Sequence, residues 1–463
     1  MFNMTKIRAT NGAGKSFYAN HLAANDYYSE SEKVVGCWKG FLTYNFGLLG
    51  EKVDLNAFSL FQKGINPLSG GKLTQRRVSG GPRFFDFQVA APKSVSIMSL
   101  FDARLIEAHR EAVDEAMREL ESLAAVRLRT GDHVFTNNYE ITGQIIYAQF
   151  HHDASRALDP QLHTHNVVVN VTQDSNGKYK ALESLEMCRA IRYAGKVYHN
   201  KLSELCRQLG YELENHYDEK GRILWKDIKG IPPEVMELYS KRRHEIEKLE
   251  EAFIAEHGRK PTLTENNQLS MSSRASKMKT ATSAEVREYQ LSQLTAEQKR
   301  LLFRKADQVK WSQPEKEWID PELVQKALRE AVHLIFERES VVKLDKVLAE
   351  AMNQNLGAYP LEMLKEEAGE LPELKKLGGL DIKPWVAPQK IIDRELYAIE
   401  AVENQRGVFE AIAPEFTAFA GEESRTSQAE LIRGLLNSRD RFNLFRGVAG
   451  AGKTSTLQEF CRG

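Results

Sequence analysis

Three histidines carry the first chemical signal in this chain: His152, then His163 and His165 in the run Leu158-Asp-Pro-Gln-Leu-His-Thr-His165. The flanking residues read as strands, and a strand puts alternate residues on one face. Ile146, Ala148, Phe150 and His152 then share a face, as do His163, His165, Val167 and Val169. If the two strands pair, three imidazoles converge on one spot. Imidazole nitrogen binds divalent metal well, and three protein ligands leave positions open for water or substrate. The spacing predicts a metal site; ordinary strand histidines are the alternative reading.

A second segment, Phe84-Phe-Asp-Phe-Gln-Val-Ala-Ala-Pro-Lys-Ser-Val-Ser96, reads as a buried strand carrying one carboxylate, Asp86, before a proline turn. A lone carboxylate in an apolar strand is costly unless paired. The N–H of a metal-bound histidine is one partner, the outer-layer arrangement common at metal sites; capping of the turn is the alternative. Tyr18, Tyr27 and Tyr28 cluster near the amino end. A phenol is a weak nucleophile, but it becomes a useful one when a metal polarises a phosphate and covalent catalysis splits the reaction in two.

Together these residues resemble a family. The amino-terminal tyrosines, the strand ending Asp86-Phe-Gln-Val-Ala-Ala-Pro-Lys-Ser-Val-Ser96, and His152-Asp-Ala-Ser-Arg-Ala-Leu-Asp-Pro-Gln-Leu-His-Thr-His165 are similar to conjugative relaxases of the F-plasmid (MobF) type. These belong to the histidine–hydrophobe–histidine endonuclease superfamily. The likeness extends through Ala190-Ile-Arg-Tyr-Ala-Gly-Lys-Val-Tyr198, Leu209-Gly-Tyr-Glu-Leu213 and Tyr239-Ser-Lys-Arg242. It implies binding of one strand of a plasmid transfer origin and nicking at a unique site. A tyrosine attacks the phosphate, leaving a 5′-phosphotyrosine and a free 3′-hydroxyl that permits religation. It implies His152, His163 and His165 as ligands of magnesium or manganese, or else zinc, with Asp86 orienting one of them. It also implies a type IV secretion coupling protein and relaxosome accessory proteins as partners, and a monomer of the bacterial cytoplasm translocated with DNA to the recipient. His151 points to the other strand face and is not expected as a ligand.

The chain departs from the family at one place. Two adjacent tyrosines usually open it, whereas here the pair reads Phe17-Tyr18. Either Tyr18 is the nucleophile, with Tyr27 serving a second round, or the first cut has moved to Tyr27 or Tyr28. Three rival readings remain: a rolling-circle replication initiator of the same superfamily, a metal-dependent nuclease acting through water, and a DNA-binding module without catalysis.

Composition bounds the rest. The 463 residues are 42% apolar, enough for two or three cores, and the formal net charge is zero. Nucleic-acid binding must then use local basic clusters, such as Lys72 with Arg76 and Arg77, Arg127 with Arg129, Lys241 to Arg243, and Lys277 with Lys279. Four scattered cysteines suit a reducing compartment, and no apolar run approaches membrane-spanning length.

The expected fold class is α+β: a central antiparallel sheet with flanking helices in a relaxase domain over 1–310, the sheet topology being what the resemblance implies. Apolar spacing predicts helices from Asp102 to about Ala124 and from Ala194 to Leu209. A helical module over 311–420 follows, then the start of a phosphate-loop helicase domain over 421–463. There Arg441 to Arg446 reads as a buried strand, and Gly447-Val-Ala-Gly-Ala-Gly-Lys-Thr454 fits a phosphate loop. Gly447, Gly450 and Gly452 let backbone N–H groups wrap phosphates, Lys453 neutralises charge, and Thr454 can bind magnesium. Gln428 resembles the adenine-reading glutamine of superfamily-one helicases. No magnesium-binding carboxylate strand, arginine finger or second lobe follows, so the sequence predicts a fragment of a relaxase–helicase. ATP and magnesium would then be cofactors only of the full-length parent, and this chain would hydrolyse no ATP.

Overall fold

The structure, a computed structural model, describes residues 2–8, 36–74, 80–128, 139–219, 221–262, 265–266, 269, 282–311, 318–378, 384–421, 423–448 and 450–463. Two compact units form. The first takes Met1–Arg338, Val342–Leu371 and Gly378–Trp385; the second takes Glu339–Val341, Pro372–Leu377 and Val386–Gly463.

Five antiparallel strands organise the first unit: β1 (Phe2–Arg8), β2 (Cys37–Lys39), β3 (Pro82–Ala90), β4 (Tyr147–Ala154) and β5 (Pro160–Val169), in the order β1-β3-β5-β4-β2. Phe84, Phe85, Phe87 and Val89 in β3 and Val167, Val168 and Val169 in β5 are buried residues of strand-favouring type. On the front face, helix α1 (Leu55–Lys63) starts where the Asp54 carboxylate accepts from the Ala57 N–H at 2.8 Å. Its Ala57, Phe58 and Phe61 pack with Trp38, Phe84, Phe150, Val167 and Val169. Phe58 stacks on Phe84 with centroids 4.6 Å apart. This apolar cluster fills the front of β5 at its carboxyl half, and the same face carries His163 and His165 at the other half.

Helices α2 (Lys93–Met98), α3 (Arg104–Glu121) and α4 (Ile191–Gln208) also belong to this unit, and α3 packs on the back of β5. Leu105, Ala108, Ala112, Val113, Ala116, Met117 and Leu120 give α3 its buried stripe at helical spacing. The helices expected over 102–124 and from residue 194 are these two, differing only by a few residues at their ends, which apolar periodicity does not fix.

The first compact unit runs past residue 310. Helices α5 (Pro321–Phe336), α6 (Leu344–Gln354) and α7 (Leu361–Glu370) belong to the first unit. Asn200 on α4 donates to the Tyr359 carbonyl at 2.8 Å and accepts from the Gly357 N–H at 2.8 Å. Gly357 has φ +76°, and a Cβ there would lie 2.5 Å from the Ser203 Cβ, so the approach requires glycine. Such bonds join residues more than 150 positions apart and leave no local mark in the sequence.

In the second unit, Ile432 and Leu436 on α8 (Thr426–Leu436) pack with Ala418 and with Phe460 on α9 (Lys453–Phe460). The buried strand expected over Arg441–Arg446 does not form, and Leu444 is 95% exposed. Among the described residues no strand pairs with it, and an apolar strand without neighbours cannot satisfy its backbone groups.

Candidate active site

Pairing of β4 with β5 sets the site. The register places His152 opposite His163 and Phe150 opposite His165. The ring centroids lie 5.0 Å apart for His152 and His163, 5.4 Å for His152 and His165, and 5.5 Å for His163 and His165. Asp86 on β3 sits opposite Val167, hence diagonal to His165 on the same face. Its Oδ2 accepts from His165 Nδ1 at 2.8 Å, and the residue is buried.

His163 Nδ1 donates to the Gln161 carbonyl at 3.0 Å. Carboxylate and carbonyl oxygens only accept, so both Nδ1 atoms carry the proton and the Nε2 lone pairs are left for a ligand. Burial, and then the neighbouring His165, push the His163 pKa down to about 4. A neutral imidazole is the form that binds metal. The donor set therefore fits a divalent ion. It is not drawn tight: the His152 and His163 rings stack at 20°, and among the described residues no three His, Cys, Asp or Glu side chains close on one point. Tyr18, Tyr27 and Tyr28 lie outside the described residues.

Several motif residues turn out to hold the site rather than line it. In the turn between β4 and β5, Ser155 Oγ accepts from the Ala157 and Asp159 N–H groups at 3.2 and 3.1 Å. Leu158 there has φ +62°, unusual for a branched side chain, and its carbonyl accepts from Gln290 Nε2 at 3.0 Å. Buried Asp159 lies 3.4 Å from Lys241 Nζ, while Lys93 donates to the Tyr239 carbonyl at 2.7 Å. Ser96 Oγ accepts from the Leu162 N–H at 3.1 Å, and Ser94 donates to Asp227 at 2.6 Å. Sequence reasoning missed these roles; the only signal was the clustering of small polar residues beside the histidines.

The basic clusters are partly spent on local pairs. Lys241 faces Asp159, Arg243 pairs with Glu247 at 2.6 Å, and Arg127 pairs with Glu183 at 2.6 Å. Arg76, Arg77, Arg129, Lys277 and Lys279 lie outside the described residues. In the second unit Gly450 and Gly452 have φ +80° and +73°, and Lys453 Nζ donates to the Gly447 and Val448 carbonyls at 2.7 and 2.8 Å. Thr454 lies in the first turn of α9. Gln428 donates to the Ala451 carbonyl at 3.3 Å, against the loop itself.

An antiparallel sheet presenting three imidazoles, one held by a buried carboxylate, defines a candidate metal centre of histidine ligands. Residues 11–296 match the TrwC relaxase family model, and the chain belongs to that family. It is similar to the Multifunctional conjugation protein TraI of Escherichia coli strain K12, 36% identical over 248 residues, which is 50% of this chain and 13% of TraI. The chain thus spans about an eighth of that relative. Among solved structures it is similar to the conjugative relaxase TrwC in complex with oriT DNA in a metal-bound form, at 30% identity and TM-score 0.52, covering 63% of this chain and 97% of that one. A TrwC complex with a 27-mer DNA comprising the recognition hairpin and cleavage site matches at 29% identity and TM-score 0.53, covering 65% and 98%.

Proposed function

We propose that this chain nicks one strand of a transfer origin by tyrosine transesterification, with a divalent metal held by His152, His163 and His165. The observation that carries this reading is the β4–β5 register, which sets His152 against His163 beside the Asp86-bound His165. The metal-bound and DNA-bound TrwC structures support it. When bound, the metal withdraws charge from the non-bridging phosphate oxygens. Asp86 holds His165 in the tautomer that offers Nε2, and the Gln161 carbonyl does the same for His163. Tyr18 is the proposed nucleophile and Tyr27 or Tyr28 the second-round residue. The phenol oxygen forms a bond to phosphorus, the bond to the 3′-oxygen breaks, and that oxygen leaves as a hydroxyl.

Magnesium or manganese is the proposed ion. The partners proposed on the family likeness are a secretion coupling protein and relaxosome accessory proteins. For the Gly447–Thr454 loop the proposed ligand is the phosphates of ATP with magnesium. The test of the first claim is cleavage of labelled single-stranded origin oligonucleotides with manganese, with chelator, and by His163→Ala. Site-specific cleavage lost in the last two supports the reading; chelator-resistant cleavage by His163→Ala overturns it.

A further inference from the structure

On strand β5, Thr164 lies between His163 and His165 and therefore faces the back of the sheet. It is fully buried. Its hydroxyl is shared by two imidazoles: His109 Nε2 of α3 at 2.9 Å and His151 Nδ1 of β4 at 2.8 Å. The other nitrogen of His109, Nδ1, lies 2.7 Å from the Tyr198 hydroxyl of α4, also fully buried. Four polar side chains from four elements thus form one chain across the back of the sheet.

The direction of the protons follows from satisfying each group. A neutral imidazole has one N–H, so each of His109 and His151 in that form donates through one nitrogen and accepts through the other. If Tyr198 donates to His109 Nδ1, then His109 Nε2–H donates to Thr164 and Thr164 donates to His151 Nδ1, with every donor used. The reverse direction leaves the buried Tyr198 O–H without an acceptor among the described residues, which costs free energy. The chain therefore runs Tyr198 to His109 to Thr164 to His151.

We infer that Thr164 is a positioning residue for the histidine pair beside it. Its hydroxyl, fixed by His109 and His151, sets the rotation of β5 that aims His163 and His165 to the front. The inference rests on the metal reading only for its binding readout. Outer-layer contacts at metal sites are worth about 10–100-fold in affinity. Thr164→Val keeps the shape and removes the hydroxyl, leaving the His109 donor unmet; Thr164→Ser restores the hydroxyl.

The experiment titrates the full chain and both variants with manganese by calorimetry. In parallel it records the ring nitrogen resonances of His163 and His165 by NMR without metal. Thr164→Val should bind manganese at least tenfold more weakly and shift both rings' resonances, and Thr164→Ser should return both readouts near wild type. Wild-type affinity and unshifted rings in a folded Thr164→Val overturn the inference. If Thr164→Val does not fold, Tyr198→Phe, which removes only the end of the chain, decides on the same two readouts. If wild type binds no manganese, the metal reading fails, and the ring resonances alone decide the role of Thr164.

Discussion

Asp86 lies among Phe84, Phe85 and Phe87 in a buried strand, a position where an unpaired carboxylate would be expelled or neutralised. Its bond to His165 makes it compatible with the strand and fixes the ring. Asp86→Ala should therefore weaken manganese binding about 10–100-fold by calorimetry, and an unchanged affinity would remove Asp86 from the site. His163 makes a second prediction. Its pKa of about 4, set first by burial, keeps it neutral in the folded chain well below the ordinary value near ~6.5. Between those values the unfolded chain binds more protons, so this residue's share of stability falls as pH falls, by about 1.4 kcal/mol per pH unit. An NMR titration should show the His163 ring neutral at pH 5; a midpoint near 6.5 contradicts the burial argument.

The elements were unevenly legible. Strands β4 and β5 and the Asp86 strand could be read because alternation fixes which residues share a face, and one partner face had to be apolar. Helices α3 and α4 showed in their apolar spacing. What could not be read were the bonds between distant segments: Thr164 to His109 spans 55 residues, and Ser96 to Leu162 spans 66. Hydrogen bonds of that separation depend on topology, which periodicity does not encode. The Ser96 contact is testable alone. Ser96→Ala leaves the buried Leu162 N–H unmet and should cost about 1–3 kcal/mol in denaturant unfolding. A loss of less than a few tenths would show that β5 is held without it.

At the scale of the whole molecule, the first unit extends past the family-matched residues to include Val342–Leu371, and helices α6 and α7 and the loop between them are built onto α4 by Lys196 and Asn200 and onto α3 by Glu119. The second unit carries a phosphate-loop sequence over a segment, 442–448, that forms no strand. Without a sheet behind it the loop has little to hold it in shape for phosphate, and ATP hydrolysis by this chain should stay at background in a phosphate-release assay. The proposed reaction stands on the tyrosine adduct. The most direct measurement incubates the chain with manganese and origin single-stranded DNA, digests the product, and maps the nucleotide-bearing peptide by mass spectrometry. The expected product is a phosphodiester on Tyr18, absent in Tyr18→Phe and in His163→Ala. Cleaved DNA with no nucleotide on Tyr18, Tyr27 or Tyr28 would contradict it and point to hydrolysis by water.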